Sequence, residues 1–161
     1  MRVAQKGRVQ VGVDMVSVGD VAASISRFGD RYLCRVYTEH ERACCEGAAE
    51  MRAAGLAARF AAKEATLKVL RPVGARPDWR SIEVCRRRGG ACDIRLSGQA
   101  ARLAVAAGID HLAVSLTHEG PYAAAVVVAT SIDPPTGVAD GGDGDLGADR
   151  QWIRAEVGSD G

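Results

Sequence analysis

MRAAGLAARFAAKEATLKVL, residues 51–70, is the stretch on which the fold turns. Leu56, Phe60, Leu67 and Leu70 give it large apolar groups at helical spacing, and alanines fill between them. That composition predicts one long helix whose thin surface lets neighbouring backbones approach closely. Pro72, Gly74 and Pro77 end it. Within it, Arg59, Lys63, Glu64 and Lys68 stand on neighbouring turns. Glu64 and Lys68 have the order and spacing of a surface ion pair. A carboxylate beside an apolar stripe also suits a metal, with basic groups around it for phosphates. The residues of this helix alone leave both readings open.

Upstream, VQVGVDMV (9–16) alternates as a half-buried strand, with Val9, Val11, Val13 and Met15 as its apolar face and Gln10, Gly12 and Asp14 opposite. Gly12 leaves room for a ligand or another backbone beside Asp14. Asp20 is the expected N-cap of a helix carrying Val21, Ile25 and Phe28 and closed by Gly29. Thr38 and Glu41 have the spacing of a capping box, opening a second helix.

Downstream the period changes to that of strands. SIEVCRRR and CDIRL flank Gly89–Gly90 as a hairpin, residues 99–107 form a short helix ended by Gly108, and HLAVSLTHE and YAAAVVVAT form a second hairpin across Gly120–Pro121. The order predicts an α+β fold, an antiparallel sheet packed against helices including one long helix. Residues 1–130 form the expected domain. The Gly- and Asp-rich segment 131–161 reads as an acidic, flexible tail.

The 161 residues carry a net charge of +1, which gives no sign of bulk nucleic-acid or membrane-surface binding. No apolar run has the length of a membrane span, and MRVAQKGRVQ is too polar for a secretory signal. Cys34, Cys44, Cys45, Cys85 and Cys92 form no C-x-x-C pair and read as reduced thiols of a cytoplasmic protein. There is no G-x-S-x-G elbow and no phosphate-binding G-x-x-x-x-G-K-[ST] loop. His118 ends an apolar strand face shared with Leu112, Val114 and Leu116, whereas His40 and His111 have no partner at metal-ligand spacing.

Seven blocks, in order, resemble the holo-[acyl-carrier-protein] synthase family of 4′-phosphopantetheinyl transferases. They are GVDMVSV (12–18), SRFGDR (26–31), RVYTEHE (35–41), ARFAAKEATLK (58–68), IEV (82–84), IRLSGQA (94–100) and VSLTHE (114–119). The resemblance covers residues 8 to 129 and implies transfer of phosphopantetheine from coenzyme A to a serine of an apo acyl carrier protein, releasing 3′,5′-ADP. It implies Mg²⁺ held by Asp14 and Glu64; nucleotide contacts from Arg59, Lys63, Lys68 and His118; and catalysis by Asp14, Glu64 and Lys68. It further implies a homotrimer with its sites at subunit interfaces. Arg27, Arg31 and Arg35 are the candidates for carrier contact. Asp20 stands where the family often has a basic residue, and RPVGARPDW and GGACDIRL depart from the family's pattern. The alternative is a catalytically weak relative that binds coenzyme A or a carrier as an assembly component.

Overall fold

The computed structural model describes residues 7–131. The expected acidic tail, from residue 132 on, lies outside the described residues. The elements are β1 (Arg8–Ser17), α1 (Val18–Phe28), α2 (Asp30–Val36), α3 (Glu39–Ala43), α4 (Ala49–Leu70), a 3-10 turn (Trp79–Ser81), β2 (Ile82–Arg86), β3 (Cys92–Leu96), α5 (Gly98–Ala106), β4 (Ile109–Glu119) and β5 (Tyr122–Ser131). β1, β5 and β4 form an antiparallel sheet in that order, and β2 pairs with β3 in a separate hairpin. The α+β reading therefore holds, with the expected single antiparallel sheet divided into two. Ser131, the first residue of the expected tail, is the last residue of β5, buried and paired with Arg8. No helix among the described residues is long and apolar enough to cross a membrane.

α4 is buried almost all the way round. Ala57, Ala61, Ala62 and Ala65 have no exposed surface, nor does Leu56. A helix so enclosed has neighbours on several sides. Its C-terminal half joins β2, β3, α5 and the sheet in one core, and its N-terminal half joins α1 and α2 around Tyr37 and Leu56 in a second. Its small side chains let this long helix serve both.

The approach of β1 to α4 is closest at Gly12. A Cβ built there would lie 2.0 Å from the carbonyl oxygen of Ala65 and 3.1 Å from Val69 Cγ2. The glycine side of β1 therefore packs inward. Val9, Val11, Val13 and Met15, expected to be the buried face, are 54 to 65% exposed. The reason is steric: a helix backbone fits against glycine, and the valines are left outside.

Two local expectations also change. Ser17, not Asp20, caps α1, its Oγ accepting the Asp20 N–H at 3.2 Å. Gly29 ends α1 at φ 53°, a left-handed conformation that favours glycine, and α2 starts at once, ahead of the helix expected to open at Thr38. The Thr38–Glu41 capping box is complete, with both reciprocal hydrogen bonds present.

Gly12→Ala should force β1 off α4. We expect a loss of about 1–3 kcal/mol or more in stability, read as a lower Tm; an unchanged melting curve would show that the contact is not tight.

Candidate active site

The Gly12 contact carries Asp14 inward beside α4, because residues two apart on a strand share a face. Lys68 Nζ donates to Asp14 Oδ1 at 2.9 Å and to the Val13 carbonyl at 2.5 Å. Glu64 stands one helical turn before Lys68 on the same stripe of α4. Its Oε1 lies 3.5 Å from Arg76 Nη1 in the loop after the helix. Each carboxylate thus has its own basic partner, Asp14 the Lys68 ammonium and Glu64 the Arg76 guanidinium, and each remains partly open to solvent. Among the described residues there is no group of three or more His, Cys, Asp or Glu placed to hold a metal. Two hard carboxylates with open surface suit Mg²⁺, which takes one or two protein carboxylates and fills its shell from phosphates and water.

A cavity of about 440 Å³ opens near the other end of α4, walled by Arg59, Arg86, Thr117 and His118 together with Cys44 and Cys45. Arg59 is only 5% exposed. Its Nη1 donates to the Gly55 carbonyl at 3.1 Å, while its buried Nε has no partner. A buried guanidinium that forms no ion pair among the described residues, with an N–H unsatisfied, is costly unless an anion fills the space beside it. Arg86 comes from the β2–β3 hairpin and was not anticipated as a site residue; the run of arginines before Gly89–Gly90 was its only signal. His118 also borders an apolar cavity of about 490 Å³ lined by Val18, Ala22, Met51, Ala54 and Pro121. The histidine therefore stands between a basic and an apolar space. Sheet register sets it on the inner face with Asp14: Asp14 aligns with Ala125 and Leu116, and the next inward row is Val16, Ala123 and His118.

Residues 10–127 match the model of the 4′-phosphopantetheinyl transferase superfamily. The chain belongs to that superfamily. A holo-[acyl-carrier-protein] synthase of Chloroflexus aurantiacus is 45% identical over 130 residues, covering 73% of this chain and 95% of the relative. The solved coenzyme A complex described as that of Chronobacterium ammoniagenes ACPS is similar at TM-score 0.67 and 31% identity, over 79% of this chain and 99% of that one. The Helicobacter pylori holo-[acyl-carrier-protein] synthase in complex with coenzyme A gives TM-score 0.65 at 27% identity, over 74% and 99%.

Within this transferase fold, Lys63 is not where the sequence reading put it. Its side chain has no exposed surface, and Nζ lies 2.8 Å from Glu41 Oε2. Nζ also donates to the Trp79 carbonyl at 2.9 Å and to that of Ile82. Glu41 is equally buried and accepts the N–H groups of Thr38 at 2.8 Å and Val84 at 2.9 Å. Burial pushes the Lys63 ammonium below its ordinary value, and the Glu41 charge opposes that shift. Lys63 thus ties α4 to α3 and β2 from a fully buried position. The expected ring of basic groups about Glu64 is divided: Lys68 stays near it, Lys63 is internal, and Arg59 lines the separate cavity.

Arg27, Arg31 and Arg35 are exposed on α1 and α2. The Arg27 guanidinium lies 5.0 Å from the Phe28 ring centroid, and Phe28 is 49% exposed. Phe28, Arg31, Tyr32 and Arg35 line a shallow groove, which makes a basic surface with an apolar centre.

Lys63→Met should cost about 3–5 kcal/mol, because Glu41 is left charged and buried without its partner. The expected readout is a lower Tm. A normal Tm with a raised KM for coenzyme A would instead make Lys63 a ligand contact.

Proposed function

We propose that this chain transfers 4′-phosphopantetheine from coenzyme A to a serine hydroxyl of an apo acyl carrier protein, releasing 3′,5′-ADP. One observation carries the reading: the helix that sets Lys68 on Asp14 and carries Glu64 one turn away also buries Arg59, with an unsatisfied N–H, in a cavity shared with His118. α4 thus contributes both to an acidic centre completed by Asp14 of β1 and to an anion cradle completed by the other strands. Phosphoryl transfer asks little covalent help of a protein, and catalysis comes chiefly from positioning and charge neutralisation.

Asp14 and Glu64 would hold Mg²⁺, which supplies positive charge against the diphosphate oxygens. Arg59, Arg86 and His118 bind and orient the nucleotide phosphates in their cavity. Lys68, half exposed and able to leave Asp14, neutralises the departing 3′,5′-ADP. An oxygen of Asp14 takes the serine proton, directly or through water. Arg27, Arg31 and Arg35 guide an acidic carrier, since complementary charge speeds encounter, and Phe28 offers it an apolar contact.

The chain acts as a homotrimer in this reading, with sites completed between subunits. The support is the outer face of the sheet. Val9, Val11, Val13 and Met15 of β1 and Val126 of β5 are exposed there, and register aligns Val11 with Val128 and Ala113, and Val13 with Val126 and Ser115. Continuous apolar surface of this kind marks an association site.

Intact-mass measurement of several apo carriers with coenzyme A and Mg²⁺ tests the activity: the carrier should gain one phosphopantetheine. No gain above background, with coenzyme A still bound, would favour the assembly-component alternative. Asp14→Asn and Glu64→Gln should each lower turnover on the order of 10²–10³-fold at unchanged Tm. Full turnover by Asp14→Asn at saturating Mg²⁺ would remove Asp14 from the mechanism.

Val13→Glu should convert the trimer into monomer, read by light scattering after size exclusion. A trimer that persists with a glutamate there would place the interface elsewhere.

A further inference from the structure

The basic cavity has thiols in its wall that the transfer chemistry does not use. Cys44, Cys45 and Cys92 all line it, beside Arg59, Arg86 and His118. They differ in character. Cys45 is buried, its Sγ seated where Gly55 has no side chain: a Cβ on Gly55 would come within 3.1 Å of it. Burial pushes the thiols of Cys45 and Cys92 up, against the nearby positive charge of Arg59. Cys44 is exposed, and its Sγ lies 3.6 Å from Nε2 of His40, one turn back along the chain. An accessible thiol beside an imidazole, in a wall where Arg59 and Arg86 outnumber the one carboxylate, Glu46, has the features of a reactive cysteine, whereas buried thiols are inert. The buried, unsatisfied Nε of Arg59 independently marks the cavity as a place for an anion.

We propose that Cys44 is a modification site for anionic low-molecular-weight disulfides, and that the mixed disulfide it forms closes the nucleotide cavity. The closure rests on the cavity being the nucleotide site, as in the function proposed above. The Cys44 thiolate attacks one sulfur of the incoming disulfide. A bond from Sγ to that sulfur forms, the original S–S bond breaks, and the second half leaves as a thiolate that is protonated by His40 or water. A thiol reductant reverses the step. Arg59 and Arg86 draw in disulfides that carry carboxylates or phosphates. Glutathione disulfide and coenzyme A disulfide share that chemistry.

The experiment treats the full chain separately with glutathione disulfide, coenzyme A disulfide and neutral hydroxyethyl disulfide. Intact mass, peptide mapping and equilibrium binding of 3′,5′-ADP are read before and after dithiothreitol. One adduct on Cys44 is expected, forming on the order of tenfold faster with an anionic reagent than with the neutral one. It should abolish 3′,5′-ADP binding until reduced and be slowed by prior saturation with 3′,5′-ADP. Which anionic reagent reacts faster tells whether the carboxylates or the phosphates are preferred. Cys44→Ser should take no adduct, and Cys45→Ser and Cys92→Ser should still take one. An adduct on another cysteine, a loss of two hydrogens through an internal disulfide, equal rates with the neutral reagent, or undiminished 3′,5′-ADP binding by the adduct would each overturn the proposal. Untreated protein that binds 3′,5′-ADP but transfers nothing would sink the transferase reading alone, and the binding comparison still decides the role of Cys44.

Discussion

The contact between Gly12 and the Ala65 carbonyl is the constraint from which the rest follows. No side chain larger than hydrogen fits between β1 and α4, so the strand backbone lies directly on the helix. That closeness turns Asp14 inward to meet Lys68, and the same turn sends the valines outward. One steric fact thus governs the acidic centre and the apolar outer face. It also explains why α4 is so rich in alanine: bulky groups on that side would push the sheet away.

The buried Lys63–Glu41 pair is the second fixed point, and its role is positional. Glu41 closes a capping box at Thr38, accepts an N–H from β2 and faces the ammonium from α4. Three elements meet at one carboxylate with its hydrogen bonds satisfied, the condition under which a buried charge is tolerated. Because β2 is held there, the hairpin that follows it carries Arg86 to the cavity of Arg59 and His118. The basic cavity is therefore built partly by an ion pair with no exposed surface of its own. Adjacent lysine and glutamate in the chain, Lys63 and Glu64, consequently have opposite fates. Side chains one residue apart on a helix point about 100° apart, so Lys63 enters the core and Glu64 stays partly open to solvent beside Arg76.

The division between a carboxylate-and-lysine centre and an arginine-and-histidine cavity suits a substrate with separated charges. Coenzyme A has a diphosphate and a distinct phosphate on its ribose, joined to a long neutral arm. In the function proposed here, the apolar space on the far side of His118 would offer that arm a wall of matching character. The cysteines on the basic side have no part in the proposed transfer, which leaves Cys44 available for the thiol chemistry proposed for it.

The chain by itself fixed much of this. Alanine content and the breakers after Leu70 determined the long helix; Gly89–Gly90 and Gly120–Pro121 determined the two hairpins; the Thr38–Glu41 spacing determined a helix start that is present as expected. These are local signals, set by propensity and turn chemistry within a few residues. Tertiary structure decided what local signals cannot carry: which face of β1 is buried, where Lys63 goes, and that Arg86 joins Arg59. Each depends on a partner far along the chain, Ala65 for Gly12, Glu41 for Lys63 and the hairpin for Arg59. Alternation along a strand says that its two faces differ, and only the helix that packs against it decides which of them is inside.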